Sequence, residues 1–366
     1  MRDSNGQSRQ MEQDISHRVG ALGTSPGLAS PLNLFDIERM AEGKMTPMAY
    51  EYVASGAADE LTLRWNRQAL DSIKLNPTVL TDVSQIDTRV TLFGQELAYP
   101  ILIAPTAYHQ LMHPEGELAT ARGAGAANAT YVVSSFTTTP MHEVAAVATQ
   151  PLWFQLYVRD DRALTKALVQ EAEDQGCRVL CVTVDTPVPG IRNRQEKAGF
   201  ALPDGVRTPH MPGFLSETKP FTWQDIDWLQ SFTRLPIMLK GIINPGDAEK
   251  AIQAGVSGII VSNHGGRNLD TVPATIEALP RVAERVNGRI PILMDGGIRR
   301  GTDVLKALAL GAQAVLVGKP VCFGLACGGA EGVANVMNIL RNELELAMIL
   351  TGRSTIASVD RSVIWT

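Results

Sequence analysis

After its polar first thirty residues, this 366-residue sequence has no run approaching the ~18 apolar residues that a membrane-spanning helix needs, so a helical span has no candidate. An excess of basic charge is also missing. The 33 Lys and Arg against 38 Asp and Glu give a formal net charge of −5, which offers no electropositive footprint for nucleic acid and points to a small-molecule partner. Cysteine is scarce: Cys177, Cys181, Cys322 and Cys327 lie in or beside apolar segments without CxxC spacing. That excludes a disulfide-stapled scaffold, and reduced, buried thiols are expected. Metal-ligand spacing is represented only by His109 and His113. Pro114 breaks their helical register and no third ligand sits nearby, so no metal site is expected. No GxGxxG opens a strand–helix unit, which disfavours a nicotinamide-binding Rossmann fold. Residues 1–30 contain no apolar h-region and read as a loose tail rather than a signal peptide. The end, Ile364-Trp365-Thr366, carries no peroxisomal tripeptide, and a cytoplasmic location is the expectation.

What remains is an ordinary globular composition, 45% hydrophobic and 19% charged with 32 glycines. From Tyr99 onward, short apolar runs alternate with amphipathic segments. The runs begin at Ile101, Tyr131, Leu152, Arg178, Ile237, Gly258, Ile290 and Ala314. Eight strands, each followed by a helix, is the count that closes a (β/α)₈ or TIM barrel. A single domain over residues 31–366 is expected, with the barrel over 99–352. Its N-terminal cap, residues 31–98, contains helices at Leu34–Met40 and Pro47–Ser55 and a hairpin around Gly94 that plugs one end. The last helix is read as Gly332–Leu350. The connection 186–221 is far longer than the usual ~2–6 residues and is read as an active-site loop.

Charged groups crown these runs where a core residue should stand. Lys240 ends Ile237-Met238-Leu239, Asp185 ends Cys181-Val182-Thr183-Val184, and Asp295 follows Ile292-Leu293-Met294. Ionised side chains are rarely buried unpaired, so the barrel mouth is their natural place. His264 and Arg267 lie three apart after the sixth strand, which suits a proton acceptor beside a guanidinium fork for a carboxylate. Asp185 is available to orient the imidazole. The late glycines and cations, Asp295-Gly296-Gly297-Ile298-Arg299 and Gly318-Lys319, read as a phosphate cradle. Lys240 alone leaves two chemistries open, a Schiff base or stabilisation of an anion developing on a cofactor.

Several strings together resemble the FMN-dependent L-2-hydroxy-acid oxidase and dehydrogenase family, which includes glycolate oxidase, lactate oxidase and mandelate dehydrogenase. They are Tyr52-Val53-Ala54-Ser55-Gly56, Ile103-Ala104-Pro105-Thr106-Ala107, His113-Pro114-Glu115-Gly116-Glu117, Phe154-Gln155-Leu156-Tyr157, Thr183-Val184-Asp185, Ser262-Asn263-His264-Gly265-Gly266-Arg267 and Asp295 to Asp303. The likeness runs from about Pro31 to Ser362. It implies FMN as cofactor and oxidation of an L-2-hydroxy acid to the 2-oxo acid, with O₂ re-oxidising the flavin and releasing hydrogen peroxide. The alternative within the family is a dehydrogenase that uses a quinone or protein acceptor. The resemblance assigns His264 as base with Asp185 as its partner. It places Arg267, Tyr52 and Arg192 at the substrate carboxylate, Tyr157 at the hydroxyl, and Lys240 beside the flavin. Pro105, Thr106, Ala107, Ser134, Gln155, Thr183 and Ser262 would line the ring, while Asp295, Gly296, Gly297, Arg299, Gly318 and Lys319 would hold ribityl and phosphate. Relatives are commonly tetramers or octamers, so a homo-oligomer, a homotetramer for instance, is expected.

Three departures stand out. Lys319 replaces an arginine usual in relatives, a point charge in place of a fork. Phe136 stands where Trp or Tyr is frequent, which favours a less polar substrate. The stretch 201–221 is short and has no tyrosine, so an aromatic lid is not expected and the pocket is read as more open. Outside the family, the rivals are a Schiff-base lyase using Lys240 and a catalytically silent flavin binder.

Overall fold

The computed structural model describes residues 31–158, 160–211 and 221–366. The expected tail, residues 1–30, lies outside them. Three cap helices lead the chain: α1 (Leu34–Glu42), α2 (Pro47–Ala54) and α3 (Leu61–Ser72). The N-caps follow local chemistry. Asn33 accepts hydrogen bonds from the Phe35 and Asp36 amides, and Thr46 accepts from the Ala49 amide with Pro47 in the first turn. Helix α3 was not anticipated. Its N-cap, Glu60, provides no side-chain cap, and the Leu61 and Thr62 amides instead donate to Asp270, 209 and 208 residues away. No local start signal marks a helix whose amide partner comes from a distant loop.

The hairpin is present as β1 (Val90–Leu92) and β2 (Gln95–Leu97), turned by Phe93 and Gly94, both at positive φ. Eight parallel strands then follow: β3 (Ile101–Ile103), β4 (Val132–Ser134), β5 (Trp153–Leu156), β6 (Leu180–Thr183), β7 (Ile237–Lys240), β8 (Gly258–Val261), β9 (Ile292–Met294) and β10 (Ala314–Val317). Their order is β3-β10-β9-β8-β7-β6-β5-β4, and a parallel bridge between Ile103 and Tyr131 joins the two ends. The sheet closes as a (β/α)₈ barrel.

Side chains alternate between two buried faces. Ile101, Ile103, Phe154, Leu180, Leu239, Ile259 and Val315 pack outward against the helices. Leu102, Val132, Trp153, Cys181, Met238, Ile260, Leu293 and Leu316 fill the interior, closed below by Leu92, Leu97 and Phe93 of the hairpin. Phe93 meets the Trp153 ring edge-on at 5.7 Å, and the indole N–H donates to Gln95 at 3.0 Å. Truncating a filled interior ring such as Trp153 to Ala would cost about 3–5 kcal/mol.

The last helical segment, α4 (Lys319–Leu350), breaks at Gly328 and Gly329, where the chain bends enough to bring the Gly324 and Gly332 backbones together; the part after the break contains the expected Gly332–Leu350, and the part before it starts at Lys319. The 186–221 connection includes a short helix, Asn193–Lys197, within its described residues. Among the described residues, no helix is long and apolar enough to cross a membrane.

Candidate active site

Two positions beyond each interior residue, the same strand presents its next inward side chain at the C-terminal mouth. Those positions are Ala104, Ser134, Gln155, Thr183, Lys240, Ser262, Asp295 and Gly318. The period of two that builds the core thus also builds the floor of the site. Above it lies a cavity of about 530 Å³. Of the residues singled out from the sequence, all but Asp185 and Ser262 line it.

The floor is a continuous polar network. Gln155 accepts from the Ser134 hydroxyl at 3.1 Å and donates to Thr183 at 3.0 Å. Lys240 Nζ lies 3.0 Å from Asp295 Oδ2 and donates to Ser262 Oγ at 2.9 Å. Burial opposes its charge, but Asp295 and then Asp185 more than offset that, and its pKa is raised. Lys240 is therefore an ammonium. Asp295 Oδ1 is buried with no hydrogen-bond partner, an acceptor left for a ligand hydroxyl. Gly297 has φ +81°, and a Cβ there would stand 2.6 Å from the Asn66 carbonyl; only glycine lets cap and cradle approach this closely.

His264 sits in a left-handed turn (φ 57°), with its amide donating to Ser262 Oγ at 3.1 Å. Its Nδ1 lies 3.0 Å from Asp185 Oδ1, and Thr186 donates to the same oxygen at 3.0 Å. Asp185 sits behind the imidazole rather than on the cavity wall. Burial pushes its pKa up, but His264, Lys240 and the Thr186 hydroxyl outweigh this, and the carboxylate is held below its usual range. Gly241 (φ +115°) makes the fit possible, since a Cβ there would fall 2.5 Å from that of Asp185. With Nδ1–H committed to Asp185, the basic ring nitrogen is Nε2, and His264 lines the cavity.

Three cations without a carboxylate partner among the described residues, Arg267, Arg192 and Lys319, line the same cavity, together with the ion-paired Arg299. Arg267 donates to the carbonyls of Tyr52 (2.6 Å) and Ser55 (2.9 Å), and its guanidinium stands 5.2 Å from the Tyr52 ring centroid. Burial first, and Arg192 next, press its pKa down to about 10. Arg192 donates to the Arg267 carbonyl at 3.0 Å. Lys319 donates to Ala54 (2.7 Å) and Ser55 (3.2 Å). Arg299 is paired with Glu38 at 3.4 Å. Buried positive charge without carboxylates to match it favours an anionic ligand. Tyr52 and Tyr157 have their pKa raised chiefly by burial, Tyr157 to about 12, so both phenols are protonated donors.

Sequence reasoning missed several contributors. Arg67, on α3, forms a salt bridge with the buried Asp303 (2.6 Å) and donates to the Gly297 carbonyl (2.7 Å). Asp303 in turn accepts from the Arg299 and Arg300 amides, both at 2.9 Å. An aromatic wall that the sequence did not announce lines the pocket. Phe200, one residue ahead of the tyrosine-free stretch, stacks on Tyr52 at 4.7 Å, and Tyr108 packs against Tyr52 and Phe136. A ring on a loop carries no periodic signal, so nothing local announced it. Residues 212–220 of that loop lie outside the described residues.

The donor set fits FMN: an unpartnered Asp295 oxygen, a glycine cradle and buried cations where a ribityl phosphate would lie. Comparison with known proteins agrees. The model of the FMN-dependent dehydrogenase family matches residues 41–366. An L-lactate oxidase of Nostoc sp. is 46% identical over 92% of this chain and 98% of its own length. A glycolate oxidase of Arabidopsis thaliana is 45% identical over 91% of this chain and 96% of its own. A solved structure of mandelate oxidase with benzoyl-formic acid superposes with TM-score 0.87 at 41% identity, covering 91% of this chain and 98% of that one. The chain belongs to the FMN-dependent dehydrogenase family.

Proposed function

We propose that this protein oxidises an L-2-hydroxy acid to the 2-oxo acid and passes the electrons to O₂, giving hydrogen peroxide. One observation carries the reading: an imidazole oriented by Asp185 faces the same cavity as carboxylate-free Arg267 and the ammonium of Lys240. The relatives named as L-lactate, glycolate and 2-hydroxyacid oxidases support it.

In this reading Arg267, with Arg192 and the Tyr52 hydroxyl, binds the substrate carboxylate and fixes its orientation. Tyr157 donates to the substrate hydroxyl, and His264 Nε2 takes up a proton while Asp185 stabilises the imidazolium. FMN supplies the two-electron acceptor. Asp295 Oδ1, Gly296, Gly297, Arg299, Gly318 and Lys319 hold its ribityl and phosphate. Pro105, Thr106, Ala107, Ser134, Gln155 and Thr183 would line its ring, with Ser262 holding Lys240 in place, and the Lys240 ammonium would offset negative charge on the reduced cofactor. The wall of Tyr108, Phe136 and Phe200 supports a substrate with an apolar side chain. A Schiff base on Lys240 has no support, because a buried ammonium paired with Asp295 is not a nucleophile.

The test is anaerobic mixing of the yellow protein with aliphatic and aromatic 2-hydroxy acids of both hands, followed by oxygen. Bleaching by L-acids with apolar side chains and rapid recolouring with peroxide release are expected. Rapid bleaching with slow recolouring replaces O₂ by another acceptor, and no bleaching by any acid removes the function.

A further inference from the structure

We infer that His109 fixes the hydrogen-bond polarity of Thr106, turning it into an acceptor-only hydroxyl toward FMN, and thereby raises the reduction potential of the bound flavin. The inference rests on the proposal that Thr106 faces the flavin ring.

His109 is fully buried behind the cavity wall, in the turn that follows β3, with its ring stacked on Tyr131 at 5.9 Å. It links two hydroxyls. Nε2 lies 2.5 Å from Thr106 Oγ1, Nδ1 lies 2.8 Å from Thr120 Oγ1, and Thr120 Oγ1 reaches the Gly116 carbonyl at 3.4 Å. Burial pushes the imidazole pKa down more strongly than Glu117 and a hydrogen bond with the Thr106 backbone pull it up. The ring is neutral, so one nitrogen donates and the other accepts.

Three features assign which nitrogen does which. A helical threonine characteristically donates to the carbonyl four residues back, and Thr120 to Gly116 is that contact; Thr120 Oγ1 is then left to accept from Nδ1–H. The 2.8 Å separation at Nδ1 is an ordinary N–H···O distance, whereas the 2.5 Å separation at Nε2 is below the usual N–H···O range of about 2.7–3.2 Å. Glu117 offers no competing acceptor, because its oxygens accept from the His109, Thr138 and Thr139 groups. Cys322, the other neighbour of Thr106, has its thiol pKa raised to about 11 because burial outweighs the hydrogen bond from Thr106, and a neutral thiol is a weak acceptor. The Thr106 hydrogen therefore goes to Nε2, and only its lone pairs face the cavity that Thr106 lines.

Two-electron reduction of a flavin adds an N–H donor to the ring. An acceptor-only hydroxyl favours that form, whereas a freely rotating one also donates to the oxidised ring. His109 is thus a positioning residue that acts through Thr106.

The test has two arms, both on the FMN-bound protein. The first is equilibrium reduction against a reference dye for the parent, His109→Phe, Thr106→Val and the double variant. Each single variant should shift the reduced-to-oxidised ratio roughly fivefold toward oxidised, the worth of one hydrogen bond, or about 20 mV for a two-electron couple. The double variant should match Thr106→Val. An unchanged His109→Phe potential, an upward shift or additive effects would overturn the inference. If Thr106→Val is also unchanged while substrate still bleaches the flavin, the inference fails and the oxidase reading stands. The second arm, ¹⁵N NMR of the unmutated protein, requires no variant to fold: the Nδ1–H tautomer of His109 is expected, and the Nε2–H tautomer would overturn the assignment.

Discussion

Lys319 Nζ lies 2.7 Å from the carbonyl oxygen of Ala54, at the C-terminal end of α2, and makes no ion pair among the described residues. The helix end offers only a partial negative charge of about −0.5. Burial, then Arg267 and Arg299, press the Lys319 pKa well below its ordinary value. In Lys319→Met the flavin-free protein should unfold at higher denaturant concentration, while FMN binds roughly tenfold to a hundredfold more weakly, as expected for losing hydrogen bonds to a charged group. Urea titration and FMN fluorescence quenching measure the two effects. Changes of the same sign in stability and affinity would refute the account.

The same geometry predicts proton linkage. A phosphate beside Lys319 raises its depressed pKa, so FMN binding takes up protons and its affinity falls as pH rises toward the ordinary lysine value. Calorimetry in two buffers of different ionisation enthalpy reads the uptake directly.

Asp185→Asn should slow flavin reduction by roughly 10²–10⁴-fold with FMN still bound, because the amide no longer stabilises the charged imidazole. The Asp185 carboxylate has a lowered pKa. Its stabilising contribution is complete above the unfolded value of about 3.9 and is lost as pH falls through the lower folded value. The stability gap between Asp185→Asn and the parent should therefore close below about pH 4, as urea midpoints at neutral and acid pH would show. A gap that persists in acid assigns it to packing.

Phe200→Ala removes the ring stacked on Tyr52. A stacked pair contributes about 0.5–1.5 kcal/mol, so KM for apolar substrates should rise roughly twofold to tenfold. The value of kcat should change little. A fall in kcat alone would give Phe200 a different role.

Arg67→Ala leaves Asp303 buried, at 1% side-chain exposure, without its cation. A loss of about 3 kcal/mol is expected, the lower end for breaking a buried pair. FMN should also bind more weakly, because Asp303 holds the Arg299 and Arg300 amides. Chemical denaturation and FMN titration of the variant test both.

The barrel and most of the site were legible in the sequence for one reason. Strands buried on both faces leave polar residues nowhere to go but the mouth, so Lys240 and Asp295 announced themselves against apolar neighbours, while Thr183 and Gln155 entered through the family resemblance. Each floor residue follows its core residue by two positions, a spacing set by the strand itself. Helix α3 and Arg67 were not legible, because the Asp270 and Asp303 partners that fix them lie more than 200 residues away in the chain. Phe200 reads as any loop aromatic until it meets Tyr52. The short helical stretch ahead of the kink at Gly328 and Gly329 was not read from the sequence, and with it the place of Lys319 at a helix N-terminus was missed.

By itself, then, the sequence determined the period-two alternation, the count of eight strands and the polar residues that end most of them, because these depend on a strand's own geometry and on the cost of burying charge. Only the tertiary structure decided which cations lack anions, which nitrogen of His264 and of His109 carries the proton, and which ring covers the pocket. Those are properties of pairs brought together by barrel closure, and no local pattern encodes a distance between residues far apart in the chain.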